Sequence, residues 1–169
     1  MAGAALSVNV TNIMGRSSDV PDIMVLPPVL VGGMLLIGVL IHYALWTVTL
    51  LPTLLARVLG VLVFISAGLL AHFAHLAMKR VGTNILPTQP TLALATDGPY
   101  RFSRNPLYIA AIGVYLGVTL WVNGLAPLSL MLPMVWLLHR GIVLPEERYL
   151  ESKFGSAYRA YQINVRRWL

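Results

Sequence analysis

Arg104-Asn105-Pro106-Leu107-Tyr108 places a cation, an amide and a phenol directly ahead of a long apolar run. Asn is favoured just before a helix and Pro in its first turn, so a helix is expected to begin here. A helix N-terminus has unpaired N–H groups and the positive end of the helix dipole, and it attracts anions. Arg104 adds a full charge beside it. The combination would hold a carboxylate or a phosphate. Taken alone, the same residues also make an ordinary helix start.

Glu146-Glu147 is the second chemical feature. Paired carboxylates can hold a cation, orient a substrate or, with a raised pKa, act as a base. They are also what the first turn of any helix favours. Their place relative to Arg104 decides between these roles, and that place depends on the elements in between.

Composition defines those elements. The 169 residues are 57% hydrophobic and only 11% charged, whereas about a quarter of a soluble domain is charged. No Asp, Glu, Lys or Arg lies between Asp22 and Arg57, between Arg57 and Lys79, or between Arg104 and Arg140. Crossing the hydrocarbon core takes about 20 apolar residues, so these gaps predict one, one and two membrane spans. The expected fold is an all-α integral membrane bundle of about four spans in a single domain. The spans are expected at Ile23 to Trp46, Leu54 to Met78, Pro106 to Val122 and Leu125 to Leu144. Asn123-Gly124 is expected to form the tight turn between the last two, and Pro133 to kink the fourth.

Residues 1 to 22 are expected to be a flexible or interfacial lead-in, with no cleaved signal sequence. The long loop from 81 to 104 is broken by Gly82, Pro87, Pro90, Gly98 and Pro99, and loops of this length are usually functional. After Pro145, Leu150, Phe154, Ala157, Tyr158 and Tyr161 recur at helical spacing, which predicts an amphipathic interfacial helix bent or broken at Gly155. Arg166, Arg167 and Trp168 are expected to anchor the chain at the interface. Four spans put both termini on one side. All of the twelve basic residues except Arg57 then share that side, which the positive-inside rule makes cytoplasmic. The net charge of +6 therefore marks topology rather than nucleic-acid binding. The chain has no cysteine, which excludes disulfides and cysteine-ligated metals.

The third and fourth spans form a hairpin that crosses the membrane and returns. Arg104, Asn105 and Tyr108 are thereby expected at the same face as Glu146 and Glu147. Ionisable groups converging at a membrane boundary point to a functional site.

These residues resemble a known superfamily, the membrane-embedded isoprenylcysteine carboxyl methyltransferases and phospholipid methyltransferases. Its pattern is Arg-His-Pro-x-Tyr, a helical hairpin, a Glu-Glu pair, then Phe-Gly-x-x-Tyr-x-x-Tyr. Here the matching residues are Arg104-Asn105-Pro106-Leu107-Tyr108, Glu146-Glu147, and Phe154-Gly155 with Tyr158 and Tyr161. The context from Thr96 to Tyr108 also matches, and the resemblance covers roughly residues 80 to 167. Each motif alone is common, but the ordered set at this spacing is specific. One position departs: Asn105 stands where the family has His. Asn donates hydrogen bonds but does not titrate near neutral pH, so a cofactor-binding role is expected there rather than proton transfer.

The resemblance implies S-adenosylmethionine as cofactor and no Rossmann sheet. It implies a cofactor site of Gly98, Pro99, Tyr100, Asn105, Pro106, Tyr108 and Glu146. It makes Arg104 and Glu147 the catalytic pair, with Arg104 positioning an anionic acceptor and Glu147 holding Arg104 or orienting the substrate. Methyl transfer is an in-line displacement in which the enzyme supplies proximity and orientation. The acceptor would be lipophilic and enter sideways from the bilayer. An isoprenylcysteine-type carboxylate is the first expectation, and a phospholipid amine or a small thiol or phenol the alternatives. A non-catalytic membrane protein is the competing class. A transporter would show polar groups near mid-bilayer, and the polar cluster here lies at the rim.

Other residues admit plainer readings. His72 and His75 are three apart on one helix, but two His without a third ligand suit packing better than metal. His42 is expected to be structural, and His139 to lie close to the site. Gly113 and Gly117 form a GxxxG pair that suits close helix packing. Arg101 suits anionic headgroups, and Tyr43, Trp46 and Trp121 an aromatic belt.

Overall fold

A computed structural model describes residues 19–86 and 88–169. Most of the predicted lead-in, residues 1–18, lies outside them. The described chain is a helical bundle. Helix α1 is Pro27–Ala44, α2 is Thr53–Arg80, α3 is Pro106–Val122 and α4 is Leu125–Leu138. One π-helical turn, His139–Val143, joins α4 to α5 (Leu144–Phe154), and α6 is Ser156–Asn164.

The boundaries follow from local chemistry. The first span begins later than the composition suggests, at Pro27 rather than Ile23. Leu26 is extended (φ −63°, ψ 130°), as a residue before proline prefers to be, and Met24 N–H instead donates to the Gly141 carbonyl at 3.0 Å. The third span starts and ends where expected. Its 17 residues are at the short end for a membrane crossing. Helices α1, α2 and the continuous rod from Leu125 to Phe154 are longer and apolar enough to cross. The fourth α-helix stops at Leu138 rather than Leu144, because the backbone widens into the π-turn before α5. Beyond Leu144 the rod carries Glu146, Glu147, Arg148, Glu151 and Lys153. The predicted C-terminal amphipathic helix is two helices, divided at Gly155, whose φ of +53° suits a residue without a Cβ.

Packing is most extensive between α2 and α3. A Cβ on Gly60 would lie 2.7 Å from the Trp121 backbone nitrogen, and one on Gly117 2.9 Å from the Phe64 nitrogen. Gly113 faces Ala67 in the same way, at 2.8 Å. The GxxxG pair thus serves an intramolecular crossing in which small residues bring two backbones together. On the other side α1 packs on α4, where Gly38 meets Pro127. Val31, Tyr115, Met134, Leu138 and Ile142 form the core between α1, α3 and α4.

The α3–α4 turn is fixed by Asn123, which adopts the left-handed conformation (φ 59°). Its side chain accepts from the N–H groups of Leu50 and Leu51 (3.1 and 3.0 Å) and donates to the Leu51 carbonyl (2.7 Å). His42 is buried against Gly124, a structural placement. His72 and His75 are both exposed on the outer face of α2.

Candidate functional site

The site is assembled at the end of the bundle where α3 begins and α4 ends. The hairpin does bring Arg104 to Glu147: Arg104 Nη1 lies 3.3 Å from Glu147 Oε1, and both side chains are about nine-tenths buried. The contact is an ion pair without hydrogen-bond geometry, so Arg104 Nε and Nη1 remain buried with no hydrogen-bond partner. Tyr108 O–H donates to Glu146 Oε2 at 2.5 Å, which joins the other half of the two motifs.

The C-terminal tail supplies a third wall. Arg104 N–H donates to the Arg166 carbonyl (2.9 Å). Ser103 Oγ and Asn105 Nδ2 donate to the Arg167 carbonyl (3.1 and 3.0 Å). Tyr161 O–H donates to the Tyr100 carbonyl (2.7 Å). These bonds place the Arg167 side chain on Glu147, where Nε lies 3.0 Å from Oε1 and Nη2 2.8 Å from Oε2. Glu147 is therefore shared by two arginines. Arg167 was expected only as an interfacial anchor; a basic residue beside Trp168 at a chain end gives that impression, and no local signal reveals a partner twenty positions back. Asn105 also differs from expectation. It occupies the position before α3, but its side chain makes no cap hydrogen bond. The amide turns to the tail instead, which leaves the N-terminal pole of α3 without a side-chain acceptor.

These groups surround a cavity of about 510 Å³, within the usual range for small-molecule sites. Of the expected site residues, Tyr100, Arg104, Asn105, Pro106, Tyr108, Glu146 and Glu147 line it. Gly98 and Pro99 do not. They form the turn Gly98–Arg101, in which Gly98 takes a positive φ of 59° and lies against Ala77, and they present Tyr100 to the cavity. Tyr158 and Tyr161, expected as the apolar face of an amphipathic helix, line it too, as do Thr83, Asn84, Thr91 and Ala93 to Ala95. Thr83 Oγ1 accepts from the N–H groups of Leu92 and Ala93 (2.9 and 3.3 Å), and Asn84 Nδ2 donates to the Pro90 carbonyl (2.8 Å). The long loop is thus folded over the cavity. His139 packs on the Trp168 ring (5.9 Å between centroids) and is not among the lining residues.

Electrostatics separate the two glutamates. Burial pushes the Glu146 carboxyl above its usual range; the charge of Glu147 adds to this and the Tyr108 hydrogen bond opposes it. Glu147 keeps two cationic partners, and its hydrogen bonds hold Arg167 above its ordinary value despite partial burial. Burial pushes the Tyr158 hydroxyl up to about 12, with Glu147 adding and Arg104 opposing. It raises Tyr100 and Tyr161 further. The phenols therefore stay neutral donors at physiological pH.

The model of the family described as phospholipid methyltransferase matches residues 55–157 of this chain, well over half of its length. The chain belongs to the phospholipid methyltransferase family. The match extends from the start of α2 through the Glu pair to α6, and so spans most of the residues around the cavity. An uncharacterized protein of Haemophilus influenzae is 41% identical over 64 residues, which are 37% of this chain and all of that protein. No solved structure matches the chain. The family consists of methyltransferases, in keeping with a membrane helical bundle that holds a cavity.

Proposed function

We propose that this protein transfers a methyl group from S-adenosylmethionine to a lipophilic acceptor, and that the acceptor group is a carboxylate of the isoprenylcysteine type. The observation that carries this reading is the Arg104 guanidinium, nine-tenths buried in the cavity wall and ion-paired to Glu147, with Nε and Nη1 lacking hydrogen-bond partners. A buried donor without an acceptor costs about 1–3 kcal/mol, and an anionic ligand removes that cost. Family membership supports methyl transfer in general.

The residues present fit the cofactor. Tyr100, Asn105, Pro106, Tyr108 and Glu146 would hold it, with Gly98 and Pro99 shaping the turn. The positive dipole end of α3 suits a carboxylate, and Glu146 suits an ammonium or ribose hydroxyls. Asn105 Nδ2 is committed to the Arg167 carbonyl, so Asn105 offers its oxygen as an acceptor. When bound, S-adenosylmethionine supplies an electrophilic methyl on a sulfonium. Arg104 neutralises the acceptor carboxylate and fixes its orientation. Glu147, gripped by Arg167, keeps Arg104 from turning away. A carboxylate needs no deprotonation, so placement accounts for most of the work. The basic residues at this end make it the cytosolic face, with acceptor arriving from the bilayer.

A second acceptor class has one observation in its favour. The raised Glu146 carboxyl is suited to take a proton from an amine, as a phospholipid amine acceptor requires. The test is calorimetry of S-adenosylmethionine with purified protein in detergent, followed by methyl transfer to matched single-tailed carboxylate and amine acceptors. Arg104→Ala is expected to retain cofactor binding and abolish transfer to the carboxylate. Absence of cofactor binding by folded wild-type protein would refute the proposal.

A further inference from the structure

A smaller groove lies towards the α3–α4 turn and shares no lining residue with the cavity around Arg104. It measures about 240 Å³ and is lined by Gly60, Val61 and Phe64 on α2 and by Gly117, Val118 and Trp121 on α3. The same i, i+1, i+4 spacing on both helices gives it two apolar ridges about one turn long. Gly60 and Gly117 are buried where the backbones meet and form its floor. Val61, Phe64 and Trp121 are exposed at its rim. Arg57, one turn ahead of Val61, closes the groove at the helix end, with its guanidinium carbon 6.0 Å from the centre of the Trp121 ring. Arg57 is exposed, and among the described residues no carboxylate pairs with it. All six Asp and Glu side chains sit at the opposite end of the bundle. Asp19 meets Lys153, and Asp22 is two residues from Met24, which bonds to Gly141. Asp97 precedes the Gly98–Arg101 turn, and Glu146, Glu147 and Glu151 are on α5.

We propose that this groove binds a net-anionic phospholipid, with its phosphate on Arg57 and the upper part of one acyl chain between Val61, Phe64 and Val118. The inference does not use the methyltransferase reading. Three observations select this occupant. The cation has no anion of its own at this end, and a guanidinium matches the paired oxygens of a phosphate. The Trp121 ring beneath it fixes where the charge stands instead of leaving the long side chain to wander. The groove next to the charge is wholly apolar and faces the bilayer, which suits hydrocarbon and not a soluble anion alone. A second copy of the chain fits less well. A two-fold pair would set this surface against itself, Arg57 against Arg57, with no carboxylate from either copy. The bound lipid also has a structural use. Helix α3 has only 17 residues, and a short span is held at its depth by anchors at its ends. A phosphate fastened over Trp121 is such an anchor.

The test uses the full chain in phosphatidylcholine nanodiscs that contain a small share of phosphatidylglycerol bearing a diazirine on one acyl chain. After photolysis, mass spectrometry locates the adducts. Labelling is expected at Phe64 and Val118, severalfold above Leu62 and Ile65, which are exposed on α2 outside the groove. Unlabelled phosphatidylglycerol should displace the label, and excess inorganic phosphate should not. A phosphatidylcholine carrying the same diazirine should label the groove no more than Leu62. Arg57→Gln should bring Phe64 and Val118 down to the Leu62 level. Val61→Trp fills the groove and keeps the cation, and should do the same, so the test survives poor folding of either variant. Equal labelling of groove and outer face, groove labelling indifferent to Arg57→Gln, or equal labelling by phosphatidylcholine would overturn the proposal. Displacement by inorganic phosphate would replace the lipid with a simple anion, and cross-links between copies of the chain at Val118 would replace it with a second copy; either result also overturns it.

Discussion

The two ends of the α3–α4 hairpin use polar residues in opposite ways. At the turn, Asn123 is buried and spends its amide on three fixed partners within the chain. At the open end, Arg104 is almost as buried, yet two of its nitrogens have none. The turn is not perfectly satisfied, since His42 Nδ1 and Thr119 Oγ1 are buried there without partners. Neither lines the large cavity. The difference teaches how to separate structure from function in a membrane bundle. A buried polar group that closes a loop holds the fold, whereas one held by an ion pair alone at the wall of a cavity has donors left over.

Glu147→Gln should have the largest effect at the open end. It leaves Arg104 and Arg167 facing each other without their shared anion. Removing one partner of a buried ion pair costs about 3–5 kcal/mol, and Arg167 is sufficiently solvated to keep the loss near the lower figure, ~3 kcal/mol. Methyl transfer should be lost altogether. Thermal unfolding in detergent and an acceptor assay measure both, and an unchanged melting temperature would show that the triad is not holding the site together.

Asn123→Ala tests the other end. Leu50 and Leu51 N–H lose their acceptor, and alanine takes up the left-handed conformation less readily than asparagine. A loss of about 2 kcal/mol is expected. The folded fraction should bind S-adenosylmethionine as the wild type does. Weakened binding per folded molecule would mean that the two ends are coupled and would break the comparison.

Much of this architecture is legible in the residue order, and the reason is periodicity. Charge-free gaps mark the spans, Asn105-Pro106 and Asn123-Gly124 bracket α3, and hairpin length brings Arg104 to Glu147. What periodicity cannot carry is contact made by a side chain outside its own element. The grip of Arg167 on Glu147, the turn of Asn105 towards the tail and the amide staple of Asn123 all depend on where an irregular segment returns. The π-turn at His139–Val143 was equally hidden, because a single widened turn leaves the apolar pattern intact.

Glu146→Gln sharpens the contrast within the open end itself. Glu146 has its folded-state pKa above the unfolded value, chiefly through burial. Between those two values the folded protein binds the extra proton, so this group's contribution to stability falls as pH rises and stays reduced above them. The variant lacks that penalty. At neutral pH it should be at least as stable as the wild type, the opposite of Glu147→Gln, while an amine acceptor loses its base and a carboxylate acceptor does not. A stability loss matching that of Glu147→Gln would show that both glutamates act as structural anions.

The smallest effect is expected where the chain closes over the cavity from outside. Lys153 Nζ lies 2.6 Å from Asp19 Oδ1, and Tyr149 O–H lies 3.0 Å from the Asp19 carbonyl and accepts from Thr91 N–H at 3.1 Å. Tyr149 thereby fastens residues 19–24 and the long loop to α5, and Pro21 and Thr91 line the cavity beneath. The ion pair is solvated, and exposed pairs contribute little to global stability. Lys153→Ala should leave the melting temperature unchanged and speed hydrogen exchange locally, at residues 19–24 and 91–95. The Lys153 hydrogen bond holds the Asp19 carboxyl below its usual range. A depressed carboxylate contributes above its unfolded pKa and is lost only as pH falls through the folded one. The fastening should therefore hold unchanged from pH 5 to 8 and loosen only in stronger acid. Faster exchange already at pH 6 would mean that a different group governs this edge of the cavity.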